Sequence, residues 1–200
     1  MRIAAVLALA CLTALPAAAR EQDFDAVARS AVRVDALEPF LARYVGHCAD
    51  VYERPKCEAN VAEARRQATG HVFTVRVQDA ASLVRPERRG EGYLLRVTPF
   101  VDGGGLALTN GAPRRQDAEG RPLIDLLSIP GTLPDGMMAM EYESPFRTGA
   151  IELEIVFRPE KVWKLQRRGE KGSYEGMAAR FLAVRIIDAR TGNPIAAKVL

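Results

Sequence analysis

Between residues 150 and 157 the chain reads AIELEIVF, and this alternation constrains the fold more than any other stretch. Ile151, Leu153 and Ile155 recur at every second position with Glu152 and Glu154 between them. That is the period of a strand with one face buried and one in water. Such a strand needs neighbours, because a lone ribbon leaves its oily face exposed and its main chain unpaired. The same period dominates from His71 onward. HVFTVRV sets Phe73, Val75 and Val77 against Thr74 and Arg76. GYLLRVTPFV predicts another strand, and DGGG then permits a sharp reversal into LALTN. EKVWKLQRR and MAARFLAVRIIDA predict two more. After the turn RTGNP, IAAKVL returns as a short final strand.

The run MEYESPFRTGAIELEIVF, residues 140–157, reads as a hairpin closing around SPFRTG. In that register Glu141 faces Glu152 and Met140 faces Leu153, so that Met138, Met140, Tyr142, Ile151, Leu153, Ile155 and Phe157 share one side. Glu141, Glu143, Glu152 and Glu154 fall on the other, where like charges destabilise a sheet unless cations lie alongside. A tight connection at RPEK, residues 158–161, brings the next strand back with Arg167 opposite Glu152. Arg76, Arg96, Arg180 and Arg185 are further strand cations able to balance the face. The expected arrangement is a solvated ladder of ion pairs. Calcium takes about six to eight oxygens, usually from a wrapping loop, and no D-x-[DN]-x-[DN]-G pattern occurs, so no metal site is expected. A carboxylate catalyst built on Glu141 and Glu152 is the alternative, and it requires one acid in a pocket.

The N-terminus has the pattern of a cleaved secretory signal. Met1-Arg2 starts it, residues 3–15 are apolar and uncharged, Pro16 breaks the run, and Ala17-Ala18-Ala19 suits a signal peptidase. Cleavage after Ala19 leaves a chain beginning at Arg20. The apolar run is shorter than the ~20 residues of a spanning helix, so no membrane span is expected after cleavage. Cys11, within ALAC, suggests lipidation as an alternative, but Leu9 sits one place too close to the cysteine. The destination is the periplasm or the exterior. Removing residues 1–19 takes away Arg2 and no acid, which lowers the net charge from +3 to +2. The basic doublets Arg65-Arg66, Arg88-Arg89, Arg114-Arg115 and Arg167-Arg168 are scattered, so nucleic acid is not an expected partner.

Cleavage also leaves an even pair, Cys48 and Cys57, which an oxidising compartment would join. The flanks support a stapled helical hairpin. DALEPFLARYVGHC offers Asp35 as N-cap with Glu38 completing a capping box, and Leu37, Phe40, Leu41 and Tyr44 at helical spacing. CEANVAEARRQATG is a second helix, with Gly70 ending it. Residues 24–34 read as a further helical turn or two leading in. A metal site on His47, Cys48 and Cys57 lacks a fourth ligand.

Residues 111–136 stand apart as a proline- and glycine-punctuated loop in which only LIDLLSI suits a short helix or an edge strand. With Arg114, Arg115, Asp117 and Arg121, this loop is the candidate binding surface. His47 and His71 are the only histidines, and no H-E-x-x-H, G-x-S-x-G or P-loop pattern occurs, so no cofactor is expected. Trp163, Tyr93 and the methionines Met137, Met138 and Met140 read as core.

Two resemblances rest on particular residues. VRIIDARTGNPIAAKV, through Asp188, Thr191, Gly192 and Pro194, resembles the strand–turn–strand that opens transthyretin-like and carboxypeptidase-regulatory-like sandwich modules. Such modules continue past this motif, whereas here Leu200 follows, and no function is carried over. FLARYVGHC, TPFVDGGGLALTNGAPRRQD and SPFRTGAIELEIVFRPEKVW are similar to an uncharacterised family of exported bacterial proteins, which implies no activity.

The expectation is therefore an α+β protein. A signal at 1–19 precedes a disulfide-stapled helical segment at 20–70 and an antiparallel β-sandwich or open barrel at 71–200. The expected role is a non-enzymatic module binding a protein or cell-envelope partner. The alternatives are a hydrolase acting on envelope polymers through Glu141 or Glu152 and a structural subunit that pairs edge strands. The exported protein is expected to begin at Arg20 and to hold no free thiol. Intact mass, with and without reductant, checks both.

Overall fold

A computed structural model describes residues 17–46, 48, 50–89, 92–118, 120–131, 144–167 and 172–200. Its spine is an antiparallel ribbon of two long strands, β10 (Ile151–Gln166) and β11 (Ser173–Asp188). Ile151, Leu153, Ile155 and Phe157 are fully buried on one side, as their alternation requires.

The turn expected at residues 158–161 does not form. The strand runs straight through, with register shifts at Val156/Phe157 and Pro159/Lys161. Pro159 has no N–H to give a ladder, and a bulge is where a strand tolerates that loss. Glu152 therefore lies opposite Ile187, not Arg167. Residues 137–143 of the expected hairpin lie outside the described ones; Leu153–Phe157 pairs on its two edges with β2 (Phe73–Val77) and β11. SPFRTG is a one-turn helix, α4 (Pro145–Thr148), ended by Gly149 at φ +74°.

The ribbon serves two half-sheets. Beside the first half of β10 lie β2 and then β1 (Val32–Val34), and beside the second half of β11 lies β12 (Pro194–Val199). Beside the first half of β11 lies β6 (Leu106–Asn110), hairpinned to β5 (Phe100–Gly103). The β1–β2 and β6–β11 pairs are parallel, so the sheet is mixed where an antiparallel one was expected. A pairing between strands far apart in the chain leaves no local trace of its direction. GYLLRVTPFV splits in two: β4 (Gly92–Val97) joins β3 (Val84–Arg89) and β9 (Leu127–Gly131) in a separate three-stranded sheet, while β5 stays in the large one. LIDLLSI thus supplies an edge strand. β7 (Arg115–Gln116) and β8 (Pro122–Leu123) form a small third sheet, and among the described residues no sheet closes into a barrel. The three-stranded sheet contributes the apolar groups Leu95, Val97 and Ile129 to the same core as Leu153, Ile155 and Ile186.

Three longer helices pack on this frame besides α4. α1 (Ala17–Ala28) lies on the outer face, where Phe24 is fully buried with Val156, Ala183 and Ala197. The stretch expected to continue helically instead turns after α1 and enters β1, whose Val-Arg-Val alternation and β-branched residues favour a strand. α2 (Leu37–Val45) and α3 (Arg54–Ala68) are stapled by the Cys48–Cys57 disulfide. The N-cap of α2 is Ala36 without a side-chain bond, one residue later than expected, and the Asp35–Glu38 capping box does not form. Its other end is held by Arg65 of α3, which donates from Nε to the Tyr44 carbonyl and from Nη2 to the Val45 carbonyl, both at 2.8 Å. A cation there satisfies carbonyls that the helix leaves open. α2 sits against the β5–β6 turn so closely that a Cβ on Gly104, at φ +67°, would lie 2.6 Å from Glu38 Cγ.

Two substitutions test this frame. A Cβ on Gly176 would collide with the Ala107 carbonyl and lie 2.8 Å from Trp163 Cζ2. Gly176→Ala is therefore expected to destabilise by about 1–3 kcal/mol in chemical denaturation. Asp188, 4% exposed, accepts bonds from Arg190 N and Nε at 3.0 Å and from Nη2 at 2.9 Å. The Arg190 side-chain bonds hold its carboxyl below the ordinary value of 3.8, against the opposing effect of burial. A depressed pKa means that this stabilisation is complete above 3.8 and is lost as pH falls through the folded-state value. Asp188→Asn is expected to cost about 1–2 kcal/mol near neutral pH, with the difference from wild type shrinking in acid, as read by denaturation in both conditions.

Candidate functional site

Among the described residues, β1 is the outermost strand at one end of the large sheet. Val32 N–H donates to the Val72 carbonyl at 2.8 Å, so the Arg33 N–H and C=O point away from β2, as the alternation of a parallel ladder demands. At the opposite end of the sheet α2 packs on a face of β5, where a Cβ on Gly103 would lie 3.0 Å from Leu41 Cδ1.

Each face of β1 opens onto a cavity. On the inner face Val32 and Val34 border a groove of about 530 Å³ between β1, α2 and α3. Phe40 and Phe73 form its floor, with ring centroids 5.1 Å apart, and Phe73 stacks on Phe157 at 5.9 Å. Tyr44 closes one wall, and burial pushes its phenol above the ordinary value, with Arg65 working against that rise. His71 and Arg43 stand at the rim, both exposed. Val32 itself is 51% exposed, an aliphatic side chain at the lip of an apolar groove.

On the outer face Arg33 lies beside Thr74 over a cavity of about 320 Å³ that also touches Arg76, Glu154 and Arg185. Glu154 accepts from Arg185 at 2.7 and 3.1 Å, Asp25 of α1 accepts from Arg185 at 2.9 Å, and Glu152 pairs with Arg76. The Arg185 guanidinium also lies 4.3 Å above the Phe24 ring. Thr74 Oγ1 is buried and has no hydrogen-bond partner among the described residues. Glu152 and Glu154 thus meet arginines on the outer face, while Glu141 and Glu143 lie outside the described residues.

The loop expected to bind is also placed. Arg114 and Arg115 line a third cavity, of about 430 Å³, together with Leu126, Glu160 and Lys161. Arg115 pairs with Asp125 at 3.3 Å. Asp117 and Arg121 face each other across the β7–β8 turn, with Arg121 Nε donating to Asp117 Oδ2 at 2.7 Å. Trp163 is buried and donates from Nε1 to Thr109 Oγ1 at 3.0 Å. His47, Met137, Met138 and Met140 fall outside the described residues. Among the described residues no group of three His, Cys, Asp or Glu side chains converges, and no helix is long and apolar enough to cross a membrane.

Sequence reasoning passed over Val32, Arg33, Phe40, Tyr44 and Phe73 as a site. The available signal was the alternation in VRV, which predicts a strand where a helix was expected. The set can hold an extended chain: outward main-chain groups for hydrogen bonds, an apolar groove on one side and guanidinium groups on the other.

No curated protein and no solved structure matches the chain. A family model does match, over residues 1–199, and its description is a family of unknown function. With nearly the whole length covered, the chain belongs to that family, DUF6066.

Proposed function

We propose that this is an exported, non-enzymatic binding module whose partner adds along the open edge of β1. The observation that carries this reading is the outward-facing main chain of Arg33, set beside an apolar groove larger than the other two cavities. Strand addition draws affinity from main-chain hydrogen bonds and selectivity from the pockets that receive alternate side chains. The N-terminal signal pattern and the Cys48–Cys57 disulfide support export, since such bonds persist in oxidising compartments. The partner is then a protein of the cell envelope or exterior.

Photo-crosslinking in intact cells tests this, with the reactive residue at Val32 or, for comparison, at Leu123 beside the loop cavity. Both side chains are exposed, at 51% and 42%. A discrete adduct is expected from Val32, and it should disappear when Arg33→Pro removes the outward donor while leaving the Val32–Val72 bond in place. An adduct from Leu123 alone moves the binding surface to the loop and sinks the reading.

A further inference from the structure

The two cavities flanking β1 also define the chemistry of the strand that fits it. This inference rests on the edge-binding reading above. We propose that β1 accepts an extended segment of a partner protein in which aliphatic residues alternate with carboxylates. The aliphatic side chains enter the Phe40–Phe73 groove, and a carboxylate meets Arg33 on the other face.

The argument begins with period. A strand laid beside β1 sends successive side chains to opposite faces. Next to Val32 and Val34 it meets the inner groove, and next to Arg33 it meets that exposed guanidinium, which stands between the edge and the outer cavity. The floor of the first environment is aromatic and aliphatic and selects for apolar side chains, with Arg33, Asp35 and Arg43 also among its lining residues.

The second environment selects for charge. Arg33, Arg76 and Arg185 border it, with Glu154 as the acid among its lining residues. Glu152 and Asp25 engage Arg76 and Arg185 from beyond the lining. Arg33 is held more loosely: its contact with Asp35 spans 3.7 Å, and their side chains are 76% and 94% exposed. It can turn to a new carboxylate without breaking a buried pair. Arg43 at the rim of the inner groove adds positive charge on that side too. A charged residue in a short edge strand also discourages indiscriminate pairing, so Arg33 rejects basic or purely apolar strands while admitting acidic ones.

The experiment uses the mature, disulfide-bonded chain and three short blocked peptides that alternate valine with glutamate, with lysine or with serine. Fluorescence anisotropy measures binding, and amide chemical shifts at residues 32–34 and 73–75 locate it. The glutamate peptide is expected to bind best and to weaken as salt is added, with the lysine peptide weaker by about tenfold or more. Arg33→Glu should reverse the order of these two peptides, and Arg33→Pro should weaken all three. Thermal melts of both variants show that they remain folded. Equal binding of the three peptides overturns the acidic preference and leaves edge binding intact. Binding of none overturns the inference as well, and the Val32 crosslink then tells whether the edge reading falls with it. A dimer in sedimentation that Arg33→Pro dissolves and the glutamate peptide does not would identify a second copy as the occupant, again overturning the inference.

Discussion

Burial of the inner side of the β10–β11 ribbon is the interaction on which the rest of the structure depends. Ile151, Leu153, Ile155 and Phe157 on one strand and Met177, Val184 and Ile186 on the other are fully enclosed. The layers on the inner side are placed by their contact with this surface. α2 brings Leu41 to it from one direction, and the three-stranded sheet brings Leu95, Val97 and Ile129 from another. The outer side is covered in two separate patches, by Phe24 of α1 over one half-sheet and by Trp163 with Ala107 and Ala178 on the other. The register shifts in the ribbon lie between these two patches, where the strands change partners.

The acidic face owes its order to α1. Glu154 and Arg185 are each 18% exposed at the side chain, well short of a freely solvated ladder. Asp25 binds the same guanidinium, and Phe24 lies beneath it, so one arginine ties the helix to the sheet through charge and ring together. Exposed ion pairs contribute little. Pairs partly shielded by a helix and sharing one guanidinium are geometrically fixed, and this orders the charge beside β1.

Regular elements with a sustained period were legible in the sequence: α3, β2, β11 with β12, and the glycine turn from β5 to β6. The Cys48–Cys57 bond followed from an even pair in a chain read as exported. The unity of β10 was hidden, because Arg158-Pro159-Glu160-Lys161 has the composition of a turn, and only the bulge accommodates it within a strand. β1 was hidden by its brevity, with three residues between two helices. Neither parallel pair was visible, since strand direction across a sheet is set by long-range packing. The candidate site was illegible for the same reason. Val32, Phe40 and Phe73 come from three elements that only the folded chain brings together. Arg114 and Arg115 were recognisable as loop cations, yet their cavity depends on Glu160 and Lys161 from the uninterrupted strand.

The length of the ribbon has a mechanical consequence. Since β10 and β11 run through both half-sheets, neither half has a boundary at which it could melt alone. Loosening β12 strips one flank of β11, whose continuation carries β6, and loosening β2 strips β10, which is paired with β11 along its whole length. The sheet thus behaves as one cooperative unit, and its slowest amide exchange belongs to the central rungs of the ribbon. A short outer strand such as β1 can fray and re-form without drawing the ribbon with it.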